Sequence, residues 1–227
     1  MKFKKYLVEG DILTLDAGCG NGAFSFAAAQ KGNRVIGIDF DKEKLGRCEI
    51  FRDYLKINPK QCQFKVFNLY ELPKLNLIFD QIICFETLEH LAEDERVIRI
   101  FAEIIKPGGI LHLCTPRKNR KLMYGEKMSE KQDGGHVRLG YEFENFKTML
   151  EKSGISIVKS DKAVGFFGLI ILNIVQWIGL SPLTKGLPKI TKDVLSALIL
   201  LPLYPLTFFD NLIPSQNLNI YVRAIKA

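Results

Sequence analysis

Three groups of residues in this chain have the types and spacing to hold a ligand or act on one. The stretch Leu15 to Phe24, LDAGCGNGAF, sets Gly18, Gly20 and Gly22 within five residues and puts Asp16 two places before the first of them. Glycine serves where the backbone takes positive φ or approaches a ligand too closely for a Cβ, so something flat or anionic is meant to lie against this turn. A second carboxylate, Asp39, stands in GIDFD at the end of another apolar run. The third group is FETLEH, with Glu86, Glu89 and His90, followed much later by His136 in GGHVRLGY. Imidazoles titrate near neutral pH, and with carboxylates they also bind divalent ions.

The first two groups narrow the ligand. A dinucleotide fingerprint reads GxGxxG, whereas this turn reads GxGxG behind an acid. Asp16 would repel a pyrophosphate and suits a cation or a donor such as an ammonium group. Asp39 is placed to accept both hydroxyls of a ribose, an interaction worth about 1.5 to 3 kcal/mol for a charged acceptor. A carboxylate at the end of a buried strand is costly without a partner, so a purely structural role explains either residue poorly. An adenosine that carries an amino acid and no phosphate satisfies both, and S-adenosylmethionine is that molecule.

The elements that position these residues follow from apolar periodicity. Strand-like runs at Ile12 to Ala17, Arg34 to Asp39, Gln63 to Asn68, Phe79 to Phe85 and Ile110 to Thr115 alternate with helical patterns at 22–31, 41–57 and 91–106 and a shorter segment near 70–76. Alternation of this kind gives parallel strands joined by right-handed crossovers, hence an α/β three-layer sandwich. After a polar loop, 116–140, come a helix from Glu142 to Ser153, a strand from Ile155 to Ser160, apolar helices and a last strand from Leu218 to Ile225. The 227 residues make one domain, 1–227, with 164–213 as a helical insertion between the sixth and seventh strands.

Composition sets further bounds. Five cysteines without a CxxC pair read as reduced, buried residues of a cytoplasmic protein, and Lys2, Lys4 and Lys5 are followed by no apolar signal region. The net charge of +7 is moderate, and its cluster between Arg117 and Lys131 reads as a solvated loop. Nucleic acid is not an expected partner, since no aromatic stripe accompanies the basic residues. The segment Val164 to Leu180 contains Asn173 and Gln176, and Val194 to Ile213 is interrupted by Pro202, Pro205 and Asp210. Neither is expected to span a bilayer, and both read as buried or interfacial helices.

LDAGCGNG, GIDFD, FDQIICFETLEHL and IIKPGGILHLCTP, in this order and spacing, resemble the class I S-adenosylmethionine-dependent methyltransferases over residues 10–160 and the last strand. The resemblance implies a Rossmann-like sheet of seven strands with the last antiparallel. It also implies S-adenosylmethionine as cofactor, with S-adenosylhomocysteine as product. Carried over position by position, Asp16, Ala17, Gly18, Gly20, Asn21 and Gly22 line the methionine and ribose side, and Asp39 takes the ribose diol. Phe40 covers the adenine, and Asn68 with Leu69 reads the adenine edge. Asn68 stands where relatives commonly have aspartate, and its amide oxygen can accept the same bond. Phe85 and His90 border the methionine.

On the acceptor side, methyl transfer needs alignment and, for some acceptors, removal of a proton. His136, His90, Glu86 and Glu89 are the candidates. Their ExxEH pattern with a later histidine is similar to the magnesium site of ubiquinone-biosynthetic O-methyltransferases and of small-RNA 2'-O-methyltransferases. Here they are read as pocket and cap residues rather than metal ligands, with magnesium as the alternative. Tyr141 is expected to line the same pocket. Few residues precede the glycine turn, so the insertion is expected to roof the pocket, with Phe166, Phe167 and Trp177 against an apolar or aromatic small-molecule acceptor. A homodimer or a membrane-surface contact through 164–213 is the other use of such residues. RNA methylation and a non-catalytic cofactor-binding subunit are the rival functions.

Overall fold

In the computed structural model, which describes residues 2–118, 128–129, 135–162, 166–181, 183–211 and 219–227, the alternating runs form one seven-stranded sheet with helices. The first five strands are β1 (Leu13–Ala17), β2 (Arg34–Asp39), β3 (Cys62–Val66), β4 (Phe79–Phe85) and β5 (Ile105–Pro116), and their pairings are parallel. They are connected by α1 (Ala23–Gln30), α2 (Lys42–Tyr54), a 3₁₀ segment Leu69–Leu75 and α3 (Asp94–Ile104). Then follow α4 (Phe143–Glu151), β6 (Ile155–Lys162), α5 (Phe166–Leu180), α6 (Lys189–Leu203), a 3₁₀ segment Tyr204–Asn211 and β7 (Asn219–Lys226). The strand order is β3-β2-β1-β4-β5-β7-β6, and β7 runs antiparallel to both neighbours, as expected.

The alternation along β1 explains where the site sits. Leu15 and Ala17 point into the larger core with Ile38, Ile82, Phe101 and Phe146. Thr14 and Asp16 therefore face the opposite side, toward α1, where Ser25 lies. The chain leaves β1 for β2 on one side and continues to β4 on the other, which opens a crevice at the carboxyl end of β1. A chain of buried polar side chains crosses the same sheet. Gln81 donates to Thr14 at 3.1 Å, His112 Nε2 donates to Gln81 Oε1 at 3.0 Å, and Tyr221 donates to His112 Nδ1 at 2.9 Å. Burial pushes the His112 imidazole down to about 3, so it is neutral and works as both donor and acceptor. All five cysteines are free and buried, and burial pushes the Cys48 thiol up to about 11.

The largest departures from the periodicity are at β5, at α3 and in the insertion. β5 begins at Ile105 rather than Ile110, because Ile105 pairs with Phe79 and a register shift before Gln81 absorbs the intervening glycines. The helix expected over 91–106 is shortened to Asp94–Ile104, and a separate 3₁₀ turn, Leu88–His90, precedes it. In the insertion, the run does not stop at Pro202. It tightens into 3₁₀ at Tyr204, so Ile190–Phe209 is a 20-residue helical run long and apolar enough, by length and composition, to cross a membrane. The ends of the insertion, Val164 and Ile213, and Leu218 lie outside the described residues, as does most of the loop 116–140.

Candidate functional site

The crevice is a cavity of about 990 Å³ at the carboxyl ends of β1, β2 and β4, lined among others by Asp16, Gly18, Gly20, Asp39, Phe85 and His90. Local backbone chemistry builds its floor. Gly18 has φ +74°, and a Cβ there would run into the Thr87 side chain, so the turn after β1 passes directly under the segment after β4. Gly20, at φ +54°, faces open space and donates its N–H to Asp39 Oδ2 at 2.9 Å. The other oxygen of Asp39 accepts the Asp41 N–H at 3.0 Å. Asp39 is buried and fixed by two backbone donors, and each oxygen keeps a lone pair.

Asp16 is buried and accepts from the Ser25 hydroxyl at 2.6 Å. Burial outweighs that bond and, with the negative Asp39 nearby, pushes its carboxyl up to about 6. An acid held in this way is relieved by a cation, which fits a ligand with an ammonium group. Asn21 and Asn68 also line the cavity, and Asn68 caps the following 3₁₀ segment by accepting the Tyr70 N–H at 3.0 Å. Leu69 sits beside it, and Phe40 is 66 % exposed at the cavity edge, a bare ring of the kind an adenine would cover. Ala17 is buried in the core and Gly22 is the N-cap of α1, so these two shape the turn without lining the cavity. The surroundings thus fit S-adenosylmethionine: two acids at the strand ends and a glycine turn with room above it.

The segment after β4 carries the acceptor-side candidates. Glu89 is buried, and His90 donates Nδ1–H to the Gly135 carbonyl at 2.9 Å, which leaves Nε2 as the basic nitrogen, 3.9 Å from Glu89 Oε1. The His136 ring stands edge-on to His90, with centroids 4.6 Å apart. One ligating atom from each of Glu89, His90 and His136 falls within 4.8 Å of the others. Glu86 stands apart: its carboxylate accepts from Asn219 Nδ2 at 2.7 Å, and its backbone is left-handed at φ +50°. One carboxylate with two imidazoles fits magnesium poorly, since that ion demands oxygen ligands, and suits a transition metal better.

Long-range bonds hold these residues together. Val137 donates its N–H to the Glu89 carbonyl at 3.0 Å. The Arg138 guanidinium caps the carbonyls of Leu91 and Ala92 at 2.9 and 3.1 Å and pairs with Asp94. Tyr141 donates to Asp94 at 2.7 Å from a buried position in the core. Tyr141 is therefore a positioning residue rather than a pocket wall, because the partners its hydroxyl meets, Arg138 and Asp94, belong to this clamp and not to the cavity lining. Phe167 and Trp177 do not line the cavity either, since α5, α6 and the following 3₁₀ segment pack on one another. The side chain of Phe166 lies outside the described residues. Two aromatic residues not expected from the sequence join the site: Phe24, whose ring meets Phe85 edge-on at 4.4 Å, and Phe3, which stacks on Tyr221 at 4.0 Å behind them. Phe24 was recoverable from its place directly after the glycine turn; the N-terminal Phe3 carried no signal.

Comparison with known proteins accords with this geometry. The family described as "Methyltransferase domain" matches residues 9–155. A ubiquinone biosynthesis O-methyltransferase of Stutzerimonas stutzeri (strain A1501) is 36 % identical over 109 residues, which are 47 % of this chain and 45 % of that protein. The chain thus matches only about half the length of such curated relatives. Among solved structures, the [4+2]-cyclase SpnF superimposes with a TM-score of 0.65 at 18 % identity, covering 96 % of this chain and 76 % of that one. A coclaurine N-methyltransferase bound to N-methylheliamine and S-adenosylhomocysteine does so with a TM-score of 0.65 at 16 % identity, covering 99 % and 70 %. The structural likenesses speak for the fold alone. With the family match spanning most of the chain, from ahead of β1 to the start of β6, this protein belongs to the class I S-adenosylmethionine-dependent methyltransferases.

Proposed function

We propose that the chain transfers a methyl group from S-adenosylmethionine to a hydroxyl oxygen of a small apolar or aromatic acceptor. The observation that carries this reading is the His90 imidazole, whose Nδ1 is fixed by Gly135 and which lines the same cavity as the glycine turn. When bound, the cofactor supplies a methyl carbon made electrophilic by its sulfonium. The chain's own work is alignment and proton handling. Asp39 would hold the ribose, Asp16 would face the ammonium, and the backbone from Gly18 to Asn21 would lie along the methionine. Phe40, Asn68 and Leu69 would border the adenine. His90 takes the acceptor's proton at Nε2, and the Glu89 carboxylate stabilises the imidazolium so formed. The edge-on pair Phe24 and Phe85 gives the acceptor an aromatic wall and excludes water. Oxygen as acceptor is supported by the names of the matching relatives.

The grouping of Glu89, His90 and His136 favours a second reading, in which a divalent ion between them lowers the acceptor hydroxyl's pKa. One experiment separates the two. Purified chain is incubated with methyl-labelled S-adenosylmethionine and a panel of phenols, catechols, amines and RNA, with and without chelator. Labelled phenol or catechol is expected, with chelator harmless, and His90→Gln should lower kcat by about tenfold or more while leaving S-adenosylhomocysteine affinity nearly unchanged. Loss of activity with chelator and its return with manganese would establish the metal reading. Labelled amine or RNA alone would refute the proposed acceptor.

A further inference from the structure

The α5–α6 hairpin turns its apolar side chains outward. Ile190, Val194, Leu198 and Leu201 recur at steps of four, four and three, on one face of α6, and each is 54 to 79 % exposed. An ordinary surface helix shows its polar face there. On α5, Trp177, the single tryptophan, is also exposed. No charged residue occurs from Val164 to Thr184 or from Val194 to Phe209. The charges are gathered between the helices and in the first turn of α6, as Lys185, Lys189 and Lys192 against one acid, Asp193. A continuous outward apolar face of this kind marks an interaction surface.

We propose that this hairpin seats in the interface of an anionic lipid bilayer, with the outward face of α6 at the acyl-chain boundary and the exposed Lys185 on the phosphates. Two features select a bilayer over a second copy of the chain. The lysines find almost no acid within the hairpin to pair with across a two-fold interface, whereas anionic headgroups supply the complement. The apolar surface is uncharged for 16 residues at a stretch, as in helices that lie in lipid rather than in the polar-rimmed interfaces of proteins. The hairpin lies in the plane instead of crossing as a pair, because α5 has 15 residues, about 22 Å at 1.5 Å each, against a hydrocarbon core of about 30 Å.

The test is flotation of the full chain with phosphatidylcholine vesicles, with or without phosphatidylglycerol, and it needs no acceptor. Binding is expected to be about tenfold tighter to the anionic vesicles. Emission from Trp177 should shift to the blue and be quenched by bromines placed near the glycerol level. Leu198→Asp with Leu201→Asp should remain unbound while holding S-adenosylhomocysteine as tightly as the parent, which verifies the fold. Lys185→Glu should reduce the preference for anionic lipid. A chain that stays with neither vesicle overturns the proposal. So does a lipid-free dimer that the leucine variants split and that vesicles leave intact, which would make the face an interface between copies. Quenching strongest from the bilayer centre would also overturn it, in favour of a spanning helix.

Discussion

Replacing Asp16 by asparagine is expected to make the ligand-free protein more stable and the cofactor complex weaker. The wild-type carboxyl is raised from 3.8 to about 6 because burial disfavours its charged form. That displacement corresponds to on the order of 3 kcal/mol of destabilisation once the group is ionised. The sign follows from the raised value: the carboxyl's favourable contribution is complete below pH 4 and is lost as pH climbs through about 6. The amide keeps an acceptor for the Ser25 hydroxyl and has no charge to desolvate. At pH 7.5 the variant should gain about 1 to 3 kcal/mol, or about 2 to 4 °C in Tm per kcal/mol for a chain of this size. At pH 5 the advantage should shrink to about half, and it should vanish only below pH 4, where the unfolded chain's carboxyl is protonated as well. Binding runs the other way. A ligand ammonium needs the carboxylate, so wild-type affinity for S-adenosylhomocysteine should fall about tenfold per pH unit below 6, and the variant should be weak at every pH. Denaturant melts and calorimetry at pH 5 and 7.5 read both limbs. An Asp16→Asn chain that is less stable than wild type at pH 7.5, or that binds S-adenosylhomocysteine as tightly, would refute the reasoning.

Two further outcomes test neighbouring parts of the site. Asp39→Ala should weaken S-adenosylhomocysteine by about 1.5 to 3 kcal/mol, or ten- to a hundredfold, and an unchanged dissociation constant in calorimetry would remove Asp39 from the ribose. Tyr141→Phe leaves the buried Asp94 short of one donor, so denaturant unfolding should show a loss of about 1 to 3 kcal/mol with S-adenosylhomocysteine affinity preserved; a change confined to acceptor KM would return Tyr141 to the pocket wall.

The sheet and the turn proposed to hold the cofactor were legible in the chain's own residue pattern. Short continuous apolar runs, the glycine turn behind Asp16 and the acid closing β2 are local patterns, and local backbone chemistry is enough to make a strand, a turn of positive φ and a helix start. The strand order then brings the tips of β1, β2 and β4 together, so residues picked for their own chemistry arrive in one crevice. Other features of the site depend on partners distant in the chain. His90 takes its tautomer from Gly135, 45 residues on, and Tyr141 is drawn into the core by Asp94, 47 residues before it. Glu86 leaves the ExxEH group because Asn219, 133 residues away at the start of β7, holds its carboxylate. The insertion shows the same limit most clearly. Its composition announces that α5 and α6 are apolar, but whether apolar side chains turn toward a pocket, toward each other or toward a surface depends on what they pack against, and that is a property of the assembled fold.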